Sequence, residues 1–155
     1  MNPKTLSAAE TSVWQAFKGA AEIVCGLVSR DIFNATRISA TDFAILSTLV
    51  DTGRGKLRQH ELAEVLRWDK GRLSHQLTRM EGRDLIVRRP LSGRAVFAEI
   101  TKSGREILAE AKRAQSNAVR QYFLDQLTER DVVSLIAIHA RATRLIDDRS
   151  SKVHQ

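Results

Sequence analysis

Apolar residues between positions 62 and 89 recur at helical spacing in two short runs with a very short break between them. Leu62, Val65 and Leu66 fall on one face of a first helix. Leu73, Leu77 and Met80 fall on one face of a second, at steps of four and three. Between the runs, Arg67-Trp68-Asp69 leaves room only for a tight turn, and Asp69 is placed to accept from the free amides of the next helix. Two short helices joined this closely predict a helix-turn-helix.

The flanking pattern is also helical. Ser7-Ala8-Ala9-Glu10 is a capping-box pattern opening a helix from Ala8 to about Phe33. Its broad apolar stripe includes Val13, Trp14, Phe17, Val24, Leu27 and Val28. Ser39-Ala40-Thr41-Asp42 starts a second helix to about Val50, with Phe43, Leu46, Leu49 and Val50 inward. A glycine turn follows, then Leu57 in a short strand, then a helix opening at Gln59 and His60, neither a strong cap. Beyond Met80, Asp84 marks the chain's exit from the helix in a left-handed conformation. Leu85 to Arg89 and Ala95 to Ile100 are β-prone runs around a Pro/Ser/Gly break, a β-hairpin pattern with Arg88, Arg89 and Arg94 near its tip. Ser103-Gly104-Arg105-Glu106 reads as another capping box, for a long helix from about Lys102 to Leu127. Thr128-Glu129-Arg130-Asp131 caps a last helix to about Asp148, with Val132, Leu135, Ile136, Ile138, His139 and Leu145 on its apolar stripe. Residues from Ser150 onward read as a frayed tail. The fold class is therefore mainly α with a small β wing: a winged helix-turn-helix between flanking helices.

The polar face of the helix-turn-helix carries the candidate chemistry. Lys70, Arg72, Ser74, His75, Gln76, Thr78 and Arg79 are donors or mixed donor-acceptors, and none is acidic. Such side chains suit phosphates and base edges in a major groove, and an arginine on a wing, here Arg94, suits the negative minor groove. Charge sharpens this reading. The 155-residue chain has net charge +7. Residues 54–105 hold 13 basic and 6 acidic side chains, whereas 1–53 hold 4 and 5, and 106–155 hold 8 and 7. The excess thus lies on the helix-turn-helix and wing, as expected of a polyanion-binding surface between near-neutral flanks.

Other classes fit poorly. One cysteine, Cys25, excludes an intrachain disulfide and suits a reducing cytosol. The first residues have no signal pattern, and no apolar run is long enough for a bilayer, so a cytoplasmic location and no membrane partner are expected. His60, His75, His139 and His154 lack zinc-site spacing, so neither metal nor cofactor is expected. No nucleophile-base-orienter set is visible, which argues against an enzyme. Gly53-Arg54-Gly55-Lys56 lacks the spacing of a phosphate-binding loop. Cys25 reads as a buried, inert residue and His139 as a core or interface histidine. Two rivals remain open: a redox switch through Cys25, and a winged-helix module that binds protein.

The order helix, helix, helix-turn-helix, wing, long helix, helix resembles the MarR family of bacterial transcription regulators, from about Ala8 to Asp148. The residues that carry the resemblance are Leu62-Ala63-Glu64, Leu73-Ser74, Arg79-Met80-Glu81, Leu85-Ile86-Val87-Arg88 and Ile100-Thr101-Lys102-Ser103-Gly104-Arg105. Trp68 with Arg72 to Leu77 is similar to one subgroup. Three features depart from the family. Ser92-Gly93 precede the tip arginine in place of an acidic residue, the wing is about two residues short, and Arg67 stands where glycine is common.

The resemblance implies a single domain, with residues 8–33 and 102–148 as dimerisation helices and 39–101 as the winged helix-turn-helix, its wing at 85–101. It implies a homodimer on a pseudo-palindromic double-stranded DNA operator, with half-sites roughly 34 Å apart. Lys70, Arg72, Ser74, His75, Gln76, Thr78, Arg79, Arg88 and Arg94 would contact DNA. It further implies repression relieved by a small aromatic or hydrophobic ligand, with Trp14, Phe17, Phe43 and Ile45 as candidate lining.

Overall fold

The computed structural model describes residues 5–90 and 96–152. Helix α1 spans Ala8–Thr36 and opens on a reciprocal cap: Glu10 N–H donates to Ser7 Oγ at 3.3 Å, and Ser7 N–H donates to the Glu10 carboxylate at 2.8 Å. Helix α2, Ala40–Asp51, opens the same way on Ser39 and Asp42. A turn leads into strand β1, Lys56–Arg58. At Gly55, φ is +103°, a conformation that side chains with a Cβ rarely adopt, so the backbone favours glycine there. Helices α3, Gln59–Leu66, and α4, Lys70–Glu81, form the helix-turn-helix. Strands β2, Ile86–Pro90, and β3, Val96–Ile100, form an antiparallel hairpin, and β1 adds to its other side in the order β1-β3-β2. The register sets Leu57 and Arg88 on either side of Ala98. Helix α5, Lys102–Tyr122, a 3-10 turn at Leu124–Gln126 and helix α6, Glu129–Lys152, complete the described chain.

The core lies under the winged module. Ile45, Leu46 and Leu49 of α2 meet Leu62 of α3, Leu73, Leu77 and Met80 of α4, Ile86 and Ala98 of the hairpin, and Leu108 and Ala111 of α5. Burial of this set is the main stabilising term, at roughly 1.5–3 kcal/mol per large side chain. Helix α1 runs along α5 and enters the core through Ile32 near its C-terminal end.

Several expectations are corrected. Val65 is 51% exposed, and Ala63 is buried in its stead. Positions 62, 66 and 63 span one 100° arc of α3, and 65 falls outside it. The long helix is capped by Thr101, whose Oγ1 accepts from Gly104 N–H at 2.9 Å, so Ser103 sits inside the first turn. Helix α1 continues three residues past Phe33 because Arg37, at φ 60°, closes it with an N–H bond to the Phe33 carbonyl. Helix α6 reaches Lys152, taking in Ser150 and Ser151 from the expected tail. Cys25 is exposed, not buried, and His139 is exposed, so it is not a core histidine of the single chain.

Among the described residues, much of the apolar stripe of each flanking helix is left uncovered. Val13, Trp14, Phe17 and Ile23 of α1 are exposed, as are Val133, Ile136 and Ile138 of α6. From Glu129 to Ile146 no residue is buried. Among the described residues no helix is long and apolar enough to cross a membrane.

Candidate nucleic-acid interface

The turn between α3 and α4 is made by a left-handed residue. Arg67 has φ 54° and ψ 41°, and Trp68 N–H then donates to the Ala63 carbonyl at 3.0 Å. Asp69 caps α4, its carboxylate accepting from Arg72 N–H at 2.8 Å. The apolar side of α4 is buried at Leu73, Leu77 and Met80. On the outer side Lys70, Arg72, His75, Thr78 and Arg79 are exposed and Ser74 is half-buried. The Thr78 hydroxyl donates back to the Ser74 carbonyl at 3.0 Å.

Gln76 does not belong to the outer face. It is 8% exposed, and its Nε2 donates to Asp42 Oδ1 at 2.5 Å. It sits three residues after Leu73 and one before Leu77, inside the buried arc, and the sequence alone had no partner to offer it there. Asp42, almost fully buried, also accepts from Ser39 N–H at 2.9 Å and from Arg83 Nη1 at 2.9 Å. Arg83 Nη2 donates to the Arg37 carbonyl at 2.9 Å. One carboxylate thus joins the end of α1, the start of α2, the middle of α4 and the turn after α4. A buried carboxylate persists only when its acceptors are filled in this way.

Trp68 packs against the core with part of its ring open, and the Arg72 guanidinium lies over that ring, 4.3 Å from its centroid. A shallow groove between α3 and the start of α4 is lined by His60, Ala63, Glu64, Arg67, Trp68, Asp69 and Lys70.

On the wing, Arg88 is engaged with Glu81. Its Nη2 lies 2.7 Å and its Nε 2.8 Å from Glu81 Oε2, and its backbone N–H donates to Oε1 at 2.9 Å. These bonds, first the backbone N–H and then the guanidinium, hold the Glu81 carboxyl below the usual carboxylate range. Arg88 therefore neutralises the only acid of α4 and is not a free cation aimed at phosphate. Arg89 pairs with Glu99 across the hairpin at 3.0 Å. Arg94 lies outside the described residues. The sheet adds cations that the sequence reading passed over: Lys56 and Arg58 of β1 flank the Phe97 ring of β3, at 4.4 and 6.0 Å. Their alternation around inward-leaning Leu57 was the available signal.

The four candidate ligand residues are held as two pairs. Trp14 and Phe17 stack on each other in the exposed half of α1, with centroids 5.9 Å apart. Ile45 is closed into the core, with Phe43 packed against it. Ile45 is fully buried and therefore has no surface to offer a ligand within this chain.

A helix-turn-helix with an acid-free outer face, followed by a β-hairpin, defines a winged helix-turn-helix DNA-binding protein. Residues 38–94, from the entry into α2 to the hairpin, match the model of the MarR family. The fold is similar to that of Sco3205, a MarR family transcriptional regulator from Streptomyces coelicolor solved in complex with DNA, with a TM-score of 0.82 and 29% identity over 91% of this chain and 90% of that one. It is also similar to AbsC, a MarR family transcriptional regulator from the same organism, with a TM-score of 0.77 and 28% identity over 90% and 99% of the two chains. The organohalide-sensing regulator RdhR-CbdbA1625 in its 2,4-dichlorophenol-bound form shares the fold, with a TM-score of 0.76 and 20% identity over 93% and 86%. No curated protein matches the chain. The winged helix-turn-helix part of the chain thus matches the MarR family model, and the fold is the one seen in MarR family transcriptional regulators.

Proposed function

We propose that the protein is a homodimeric, sequence-specific repressor that binds a pseudo-palindromic operator and is released by a small aromatic or hydrophobic ligand. The observation that carries the DNA reading is the outer face of α4. It presents Lys70, Arg72, Ser74, His75, Thr78 and Arg79 with no carboxylate among them, and the one acid of the helix, Glu81, is already paired with Arg88. Those six side chains engage the major groove, and Arg94 the minor groove. The similarity to Sco3205, solved in complex with DNA, supports the DNA-binding reading.

The dimer reading rests on the uncovered apolar stripes of α1 and α6, which a second copy would bury. The ligand reading rests on the 2,4-dichlorophenol-bound form of RdhR-CbdbA1625. In a dimer, Trp14 and Phe17 are the side chains placed to meet such a ligand.

The test is fluorescence anisotropy of the purified protein on its own upstream DNA and on a scrambled duplex, at two salt concentrations. Specific binding is expected to exceed non-specific binding by on the order of 10³ or more. Equal binding to both duplexes refutes sequence-specific regulation of its own promoter.

A further inference from the structure

We infer that Arg72 reads a guanine in each half-site and that Trp68 is the residue that positions it; the inference rests on the DNA-binding reading above. Of the arginines from Arg72 to Arg89, three have their guanidinium groups committed: Arg83 to Asp42, Arg88 to Glu81 and Arg89 to Glu99. Among the described residues no carboxylate pairs with Arg72. Its guanidinium is instead held over the Trp68 ring, 4.3 Å from the centroid.

That arrangement has a specific consequence. Stacking occupies the face of the guanidinium and leaves its edge donors free, and edge donors are what a base edge needs. The platform is anchored, because Trp68 packs against the core. The root of the side chain is fixed as well, since Arg72 N–H is bonded to Asp69. The side chain is therefore ordered before DNA arrives, and less rotamer freedom is lost on binding.

Position in the helix supports the same assignment. Arg72 is the third residue of α4, and the N-terminal residues of a recognition helix are those that reach base edges. Gly71 beside it adds no side chain to the front of the helix. Among the side chains at this end, Lys70 is a flexible point charge suited to phosphate. Arg72 offers the planar fork that matches guanine O6 and N7.

The experiment selects bound duplexes from a randomised pool, using the full-length protein and its variants. Wild type and Trp68→Phe are expected to enrich guanine at one position per half-site. Arg72→Gln is expected to lose that preference by about tenfold or more while keeping the rest of the site. Trp68→Leu is expected to weaken the same preference and leave salt-dependent binding to unrelated duplex unchanged. Replacing that guanine by 7-deazaguanine, which lacks the N7 acceptor, should weaken wild type but not Arg72→Gln. If Trp68→Leu does not fold, Arg72→Lys decides, since it keeps the charge and can still donate to guanine but has no planar group to stack, and is expected to weaken the guanine preference. Retention of the full preference by Arg72→Gln, by Arg72→Lys or by a folded Trp68→Leu overturns the inference. If wild type enriches no sequence at all, the DNA-binding reading fails and takes this one with it.

Discussion

Gln76 of the recognition helix donates to the buried carboxylate of Asp42 at the start of α2, 34 residues earlier, at 2.5 Å. The bond ties the middle of α4 to the start of α2. With Leu73, Leu77 and Met80 buried, His75 lies on the outer side of α4 and Gln76 at the edge of the buried face, where Asp42 gives its amide an acceptor.

Asp42→Ala is expected to lower stability by about 3 kcal/mol in urea unfolding. The substitution strands the Gln76 amide, the Ser39 N–H and one arm of Arg83, and partners left buried without acceptors cost the most. Gln76→Ala should cost less, about 1–2 kcal/mol, since Asp42 keeps two donors. A loss below about 0.5 kcal/mol for Asp42→Ala would show that the network contributes little.

Gly104→Ala should destabilise the fold by about 2 kcal/mol or more. A Cβ at this position would lie 2.1 Å from the Leu85 carbonyl oxygen, which is backbone and cannot swing aside. Thermal unfolding of the variant checks it, and an unchanged midpoint would mean that α5 and β2 can separate freely.

Arg67→Gly is expected to stabilise. The residue holds φ 54° at the end of α3, a region costly for a side chain with a Cβ and free for glycine. After the greater entropy of glycine in the unfolded chain, a gain of about 0.5–1 kcal/mol remains. A rise in melting temperature of roughly 1–4 °C is the expected readout.

The Glu81–Arg88 pair gives a pH dependence of known sign. The Glu81 carboxyl is held below its ordinary value in the folded chain, so its stabilisation is complete above the unfolded glutamate range, about pH 4.3. That stabilisation is lost as the pH falls through the lower folded value. The difference in urea midpoint between wild type and Glu81→Gln should be flat from neutral pH to about pH 5 and shrink below about pH 4. A difference that grew on acidification would reverse the assignment.

Ile136→Glu should leave the protomer folded and weaken the proposed dimer. The side chain is 65% exposed in the single chain, so the substitution creates no buried charge unless a second copy covers it. Sedimentation is expected to show the dimer dissociation constant rising by about tenfold or more. An unchanged constant would place the interface elsewhere.

The local part of this protein was legible in its sequence. Capping residues Ser7, Ser39 and Asp69, the left-handed exit at Asp84, and the apolar spacing of Leu73, Leu77 and Met80 each depend on residues within one or two helical turns. Interactions of that range are written in adjacent positions. The acid-free face of α4 and the charge excess of residues 54–105 could be read for the same reason. Tertiary structure decided what depends on distant partners. Gln76 turned inward because Asp42, 34 positions away, supplies its acceptor. Arg88 was withdrawn from the candidate contacts because folding sets Glu81 beside it. Lys56 and Arg58 joined the hairpin because β1 pairs with β3. A polar side chain looks the same in sequence whether it meets water, a buried partner or DNA. Only the folded chain shows which of these is within hydrogen-bonding reach.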